Sequence, residues 1–265
     1  MLGSTKIYGC LADPIRHVKA PTIFTSIFKE KNIDAVMIPI HVDKNNLENV
    51  IDSLKTIKNF EGMTITIPHK KSVANLCDYL EHDAEFTQSV NWIKFDRDRK
   101  LIGNNFDGQG FVSGLLAQNF LIKNKKICVF GAGGAAVSIV CTLAKQKIKS
   151  LKIINRNFDK ANELMRKVKI IEKDLLVEVD EYNDKSSLKN YDIIINATSL
   201  GLNSNDKLPF DVRKTLPKSI IADIIMQPSE TELLKQAKKL GRSVHYGKYM
   251  IDSQIDLVGN FLDLW

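Results

Sequence analysis

The sequence predicts an α/β protein of two domains with mainly parallel sheets. Apolar, strand-length runs alternate with amphipathic, helix-length runs along the whole chain. The cycle restarts near Lys125, and the restart is a strand, a glycine turn and a helix in immediate succession. In order, KIYGCLA reads as a strand leading into a proline loop, and APTIFTSIFKEKNI as a helix with Pro21 at its start. AVMIPIHV is a strand, NNLENVIDSLKTI a helix, GMTITI a strand and SVANLCDYL a helix. SVNWIKFD and KLIGNNF form a hairpin turning at DRDRK, and DGQGFVSGLLAQ is a helix joining the two cycles. The second cycle then gives KKICVFGAGGAAVSIVCTLAKQ (strand, turn, helix), SLKIINRN (strand), FDKANELMRKV (helix), LLVEV, DIIINAT and SIIADII (strands) and ETELLKQAKKLG (helix). A short loop and one terminal amphipathic helix close the chain.

Composition narrows the function classes. The 265 residues suffice for one large or two modest domains, and 44% hydrophobic with 26% charged residues is ordinary for a soluble protein. No apolar run is long enough to span a bilayer, and MLGSTKIYGC lacks the pattern of a signal peptide, so a cytoplasmic location without membrane attachment is expected. Cys10, Cys77, Cys128 and Cys141 are scattered, as reduced structural thiols would be. The net charge of +7 comes from lysines spread along helices, with no aromatic-interleaved basic block, so no nucleic-acid partner is expected. The five histidines show no metal-ligand spacing, and no metal is expected.

ICVFGAGGAA places Gly131, Gly133 and Ala136 in G-x-G-x-x-G/A register between a strand and a helix. The first glycine allows the tight turn, the second lets the backbone approach a pyrophosphate, and the small third residue lets helix and strand pack closely. Gly131, Ala132, Gly133, Gly134 and Ala135 are therefore candidate cofactor contacts in a Rossmann-type domain. A tight turn with no ligand is the alternative. The next strand ends in Asn155 and Arg156, where an acid would select NAD, and an arginine there can pair with a 2′-phosphate and stack on adenine. NADP is the expected cofactor.

Three polar stretches end apolar strands in the first cycle: TITIPHKK, SVNW and GNNFDGQGF. A lysine and a carboxylate suit hydride chemistry at an alcohol, the ammonium stabilising the developing alkoxide and the carboxylate orienting it. An ordinary helix-capping role is the alternative for Asp107. These motifs, with GAGGAA, NR, INATSLGL and MIDSQ, are similar in order and spacing to those of the shikimate dehydrogenase family, over almost the whole chain. The resemblance implies a substrate-binding domain (1–106 with 248–265), an NADP-binding domain (107–247) and a cleft between them. It implies Lys70 and Asp107 as the catalytic pair, Lys71 being solvated. Thr66, Asn91 and Gln254 become substrate contacts, Asn196, Thr198 and Ser199 a loop near the cofactor, and Asp223, Gly247 and Met250 shapers of the cleft. It implies a monomer or homodimer acting on a small cyclic hydroxy acid.

The departures from the family pattern concentrate at the substrate. The family's H-S-x-S-P loop, whose serines bind the substrate carboxylate, reads HVKAP here, with Val18 and Ala20 in their places. The family's N-V-T-I-P asparagine is Thr64, the threonines of A-V-N-T and N-T-D-G are Trp92 and Phe106, and a pocket tyrosine is Met226. Two substrate readings follow: shikimate itself, held by backbone amides, Arg16 or Lys19, or a less polar relative. A cofactor-binding sensor without turnover is a further alternative, disfavoured by the intact Lys70–Asp107–Asn91 set. A methyltransferase fits poorly, because its ribose wants an acid where Arg156 stands.

Overall fold

The computed structural model describes residues 2–16, 18–182 and 187–265; His17 of the HVKAP loop lies outside them. The chain divides into two compact units, residues 1–106 with 256–265, and residues 107–255.

The first unit is built on six strands: β1 (Lys6–Ala12), β2 (Ala35–His41), β3 (Phe60–Ile65), β4 (Tyr79–Leu80), β5 (Trp92–Phe95) and β6 (Leu101–Asn104), in the order β2-β1-β3-β5-β6-β4. Strands β1, β2 and β3 run parallel, but β5 is antiparallel to both β3 and β6, so this sheet is mixed. The helices are α1 (Ala20–Glu30), α2 (Leu47–Thr56), α3 (Lys70–Leu76) and α4 (His82–Thr87). In α1 the spacing of Ala20, Phe24 and Phe28 lays one buried stripe against the sheet. Edge strand β2 carries Pro39, a residue that blunts pairing with another chain.

The expected helix SVANLCDYL stops at Leu76. Asp78 exchanges hydrogen bonds with Leu101, its N–H to the carbonyl and its carboxylate to the amide, and this draws Tyr79–Leu80 into the sheet as β4. The hairpin turn is held by Arg99, whose guanidinium donates to the carbonyls of Leu54, Lys55, Ile57 and Phe60 at 2.9–3.1 Å while stacking on Phe95 at 4.3 Å. It thereby satisfies carbonyls at the end of α2 that the helix leaves open.

The second unit is a wholly parallel sheet of β7 (Lys126–Phe130), β8 (Ser150–Ile154), β9 (Leu176–Asp180), β10 (Ile193–Asn196), β11 (Ile220–Asp223) and β12 (Ser243–His245), in the order β12-β11-β10-β7-β8-β9. Read from β9, that is the 3-2-1-4-5-6 order of a dinucleotide-binding fold. Its helices are α5 (Asp107–Ala117), α6 (Gly134–Ala144), α7 (Phe158–Ile171), α8 (Glu232–Lys239) and α9 (Lys248–Asp252). The single terminal helix expected from the sequence is two, α9 and α10 (Ile255–Phe261), interrupted at Ser253–Gln254. Residues 248–255 group with the second unit, because α9 packs on α5 where Gly110 and Gly114 let the Met250 and Tyr249 carbonyls approach. In the first unit, α10 carries Gly259, and the Trp265 ring fills the space a side chain there would need. No helix among the described residues is long and apolar enough to cross a membrane. Cys10, Cys128 and Cys141 are buried and in no disulfide, and burial pushes the Cys10 and Cys77 thiols up to about 12.

His245 closes the second unit's interior at 0% exposure, and neither ring nitrogen has a hydrogen-bond partner. The rings of Phe111, Phe120 and Tyr249 stand 5.2, 6.4 and 5.3 Å away. Burial lowers its pKa from 6.5 to about 4. Between those values the unfolded chain binds a proton that the folded chain refuses, so this contribution is complete above pH 6.5 and lost as pH falls toward 4. About 3 kcal/mol of stability is expected to disappear over that interval. In urea melts between pH 7 and 4.5, His245→Phe should show a shallower acid slope than the natural chain; equal slopes would refute the assignment.

Candidate active site

In the first unit the polar residues gather where strands β1 and β3 end and β5 begins. Thr66 donates its N–H to the Leu11 carbonyl at 3.0 Å, and Asp13 its N–H to Ile67 at 3.1 Å, so the loops after β1 and β3 are laced together. Asn91 is the hub. Its carbonyl accepts from the Ile65 N–H at 2.7 Å and the Thr64 hydroxyl at 2.9 Å. Its side-chain Oδ1 accepts from the Phe106 N–H at 2.8 Å. A backbone N–H must meet oxygen, so this bond fixes the amide orientation and turns Nδ2 the other way.

Lys70 is the first residue of α3 and half-buried, whereas Lys71 is exposed. The Lys70 carbonyl accepts from the Val90 N–H at 3.0 Å, beside Asn91, so the structure brings Thr66, Lys70 and Asn91 to one edge of this unit. His69, fully buried, anchors the start of α3 through Nε2 to the Val42 carbonyl at 2.8 Å.

The residues at 18, 20, 92 and 106 gather elsewhere in this unit. Ala20, Trp92 and Phe106 are buried in one apolar cluster with Tyr8, Phe24 and Phe261, and Val18 packs against it. Trp92 meets Phe24 edge-on at 4.8 Å and Phe106 meets Phe261 at 5.5 Å. The departures noted in the sequence are therefore one contiguous hydrophobic body.

In the second unit Asp107 is the first residue of α5 and is 3% exposed. The next residue, Gly108, donates its N–H to Ser138 Oγ of α6 at 2.9 Å, and a side chain there would strike Ser138 and Thr142. Gln254 lies over the same helix beside Gly110, its Nε2 donating to the Met250 carbonyl at 2.9 Å. Asp107 and Gln254 thus belong to one α5–α9 assembly, separate in this division from Lys70, Thr66 and Asn91.

The glycine turn follows β7. Gly131 has φ +118, and a Cβ there would lie 2.7 Å from the Ala197 carbonyl, so only glycine fits. Gly133 is extended and caps α6, and a Cβ there would meet nothing within 4 Å. The backbone at Gly133 is thus open at the N-terminus of an eleven-residue helix, which suits a pyrophosphate. Ala136 is fully buried, as close packing of α6 on the sheet requires.

Arg156 is exposed just beyond β8, and Asn155 turns its amide onto the Asn157 carbonyl at 2.9 Å. Asn157 caps α7 by accepting from the Lys160 N–H at 2.9 Å. Lys160 escaped the sequence reading. With Arg156 it puts two cations at a helix N-terminus, where the dipole disfavours cations and an anion would relieve both. The cap asparagine three residues before it was the available signal.

The neighbouring loop is shaped from beneath. Asn196 is fully buried and donates to the Asp223 carboxylate at 3.1 Å and the Leu200 carbonyl at 3.0 Å, and its Oδ1 accepts from Thr198. Asp223 also accepts from Thr231 Oγ1 at 2.8 Å and the Ile225 N–H at 3.0 Å. Burial raises its pKa to about 6 against the opposing pull of those donors. Ser199 is exposed on that loop, and Gly247 fits tightly under the Ile224–Ile225 carbonyls.

Comparison with known proteins agrees with this architecture. A family model described as the shikimate dehydrogenase substrate binding domain matches residues 10–93, and one described as shikimate / quinate 5-dehydrogenase matches residues 115–209. A protein of Nitrosopumilus maritimus named shikimate dehydrogenase (NADP(+)) is 35% identical over 250 residues, covering 94% of this chain and 90% of the relative. A shikimate dehydrogenase solved in complex with NADP+ superposes with a TM-score of 0.88 at 29% identity, over 99% of this chain and 91% of its own. A 5-ketofructose reductase of Gluconobacter superposes with a TM-score of 0.86 at 27% identity, over 97% and 92%. Two family models in series and whole-chain identity of this order place the chain in the shikimate dehydrogenase family.

Proposed function

We propose that the chain is an NADP-dependent dehydrogenase that interconverts shikimate, or a related cyclic hydroxy acid, with the corresponding ketone. The family membership carries this reading, supported by a lysine, threonine and asparagine gathered on one unit and an open glycine turn on the other. Bound NADP supplies the hydride acceptor. Gly131 to Ala135 would hold its pyrophosphate, and Arg156 with Lys160 its 2′-phosphate.

The rest is done by the chain's own side chains. Lys70 would stand at the carbinol oxygen, its ammonium stabilising the alkoxide that develops there or relaying the hydroxyl proton as the carbon–hydrogen bond is given up. The Asp107 carboxylate orients that ammonium and the reacting hydroxyl. Asn91, whose Oδ1 accepts from the Phe106 N–H, would with Thr66 and Gln254 hydrogen-bond the ring hydroxyls. The proposed division assigns residues 1–106 and 248–265 to substrate and 107–247 to cofactor, with a monomer or homodimer as the working form.

A second reading concerns the substrate. Val18, Ala20, Trp92 and Phe106 make one apolar body, which favours a ligand with fewer polar groups than shikimate. The likeness to a reductase named for a keto sugar supports the idea that this fold serves other carbonyl substrates.

For catalysis, Lys70→Ala should lower turnover by ~10²-fold or more while leaving cofactor affinity nearly unchanged, and Lys71→Ala should do little. Steady-state assays on the best substrate decide this, and similar behaviour of the two variants would refute it. For the cofactor, NADP(H) should bind at least about tenfold better than NAD(H), and Arg156→Ala should remove most of that preference, at a cost of about 1.5–3 kcal/mol. Titrations giving equal affinities in the natural chain would contradict it. For the substrate, two missing hydroxyls forgo about 3–6 kcal/mol of charge-assisted bonding, so shikimate should bind roughly 10²–10⁴-fold more weakly than a serine-lined site would allow. Val18→Ser with Ala20→Ser should recover part of this. Saturation of the natural chain at low shikimate concentration would leave the first reading standing alone.

A further inference from the structure

The glycine turn and Arg156 account for the phosphates of a dinucleotide and, by stacking of the guanidinium, for one face of its base, but not for the other. We infer that Tyr182 is the platform on which the purine stacks, an assignment that rests on the dinucleotide reading above.

Strands β8 and β9 pair in parallel with Ile154 opposite Asp180, and the Asn155 N–H donates to the Asp180 carbonyl at 3.2 Å. Arg156 and Tyr182 each stand two residues past that pair, so they leave the same sheet edge on adjacent strands. The 2′-phosphate and the base are carried by one ribose. A phosphate held at Arg156 therefore confines the base to this neighbourhood.

Tyr182 also lies on the appropriate face. Phe130, Ile154 and Asp180 stand opposite one another across β7, β8 and β9, and the Tyr182 ring reaches back to Phe130 on that row. Its ring meets Phe130 edge-on, with centroids 6.5 Å apart at 71°. Phe130 immediately precedes Gly131 and is stacked on Phe210 at 4.7 Å. Phe130 and Phe210 are 4% and 5% exposed, whereas Tyr182 is 40% exposed. An aromatic ladder thus runs from the interior to the surface beside the glycine turn, and its outermost ring is braced and partly open. Base–aromatic stacking contributes strongly to binding and needs no particular hydrogen-bond pattern.

The test is calorimetric titration of the natural chain, Tyr182→Ala and Tyr182→Phe with adenosine 2′,5′-bisphosphate and, separately, with reduced nicotinamide mononucleotide. Tyr182→Ala should bind the adenosine fragment about 5- to 30-fold more weakly, with unchanged binding of the nicotinamide fragment. Tyr182→Phe should stay within about twofold of the natural chain, because stacking needs the ring and not the hydroxyl. Natural-level binding of the adenosine fragment by Tyr182→Ala would overturn this assignment alone, as would equal losses in the two variants. Equal weakening of both fragments would also overturn it, because it would mark a structural role. No binding of the adenosine fragment by the natural chain would remove the dinucleotide reading itself, and this proposal with it.

Discussion

The bond from the Phe106 N–H to Asn91 Oδ1 is the constraint on which the substrate-binding unit depends. Asn91 is 3% exposed, and an unpaired amide at that depth would cost a few kcal/mol. The bond removes that cost for the oxygen and fixes the orientation of the amide. The Asn91 carbonyl simultaneously holds Ile65 and Thr64 of β3, and its N–H donates to Asn104 of β6. One residue therefore couples the end of β3 and the start of β5 to the last residue before Asp107. Replacing Asn91 would disturb the junction of β3, β5 and β6 whether or not it touches a ligand, so a loss of activity there would not by itself prove substrate contact.

The second unit solves a comparable problem with a carboxylate. Only glycine can stand at 131, because the Ala197 carbonyl occupies the space a side chain would need. Ala197 is held in place by the Asn196–Asp223–Thr231 bonds between the ends of β10 and β11. Asp223 resembles a buried acid held for catalysis, with its raised pKa, yet its three donors come from the scaffold itself. The physical reading is a brace for the turn, and a perturbed acid is not in itself a reactive one.

Much of this was legible in the sequence. Long amphipathic helices such as α1 and α7 announce themselves by period, and the glycine turn by its position between strand and helix. Short elements did not: β4 and β12 have two and three residues and exist because Asp78 grips Leu101 and because β11 offers a free edge. The break between α9 and α10 was invisible because the apolar spacing runs through it; the structure marks it by Gln254 folding back onto Met250. At the site, Lys70 and Arg156 could be named from motifs. The resemblance put Val18, Ala20, Trp92 and Phe106 at one pocket, but their packing into one buried apolar cluster could not be read, since they lie on three separate stretches of chain. Lys160 was missed because a lysine on an exposed helix face looks like any other until its cap is seen.

The buried thiols have a practical consequence. Cys10 lies in the interior of one unit, Cys128 and Cys141 in the interior of the other. Only thiolate attacks an alkylating reagent, and burial holds Cys10 and Cys128 in the neutral form and out of reach. Their labelling must therefore wait for the surrounding structure to open. Peptide-resolved alkylation would time the opening of each unit separately in a single unmodified chain, so that a ligand tightening one unit registers on its own cysteine and not on the other's.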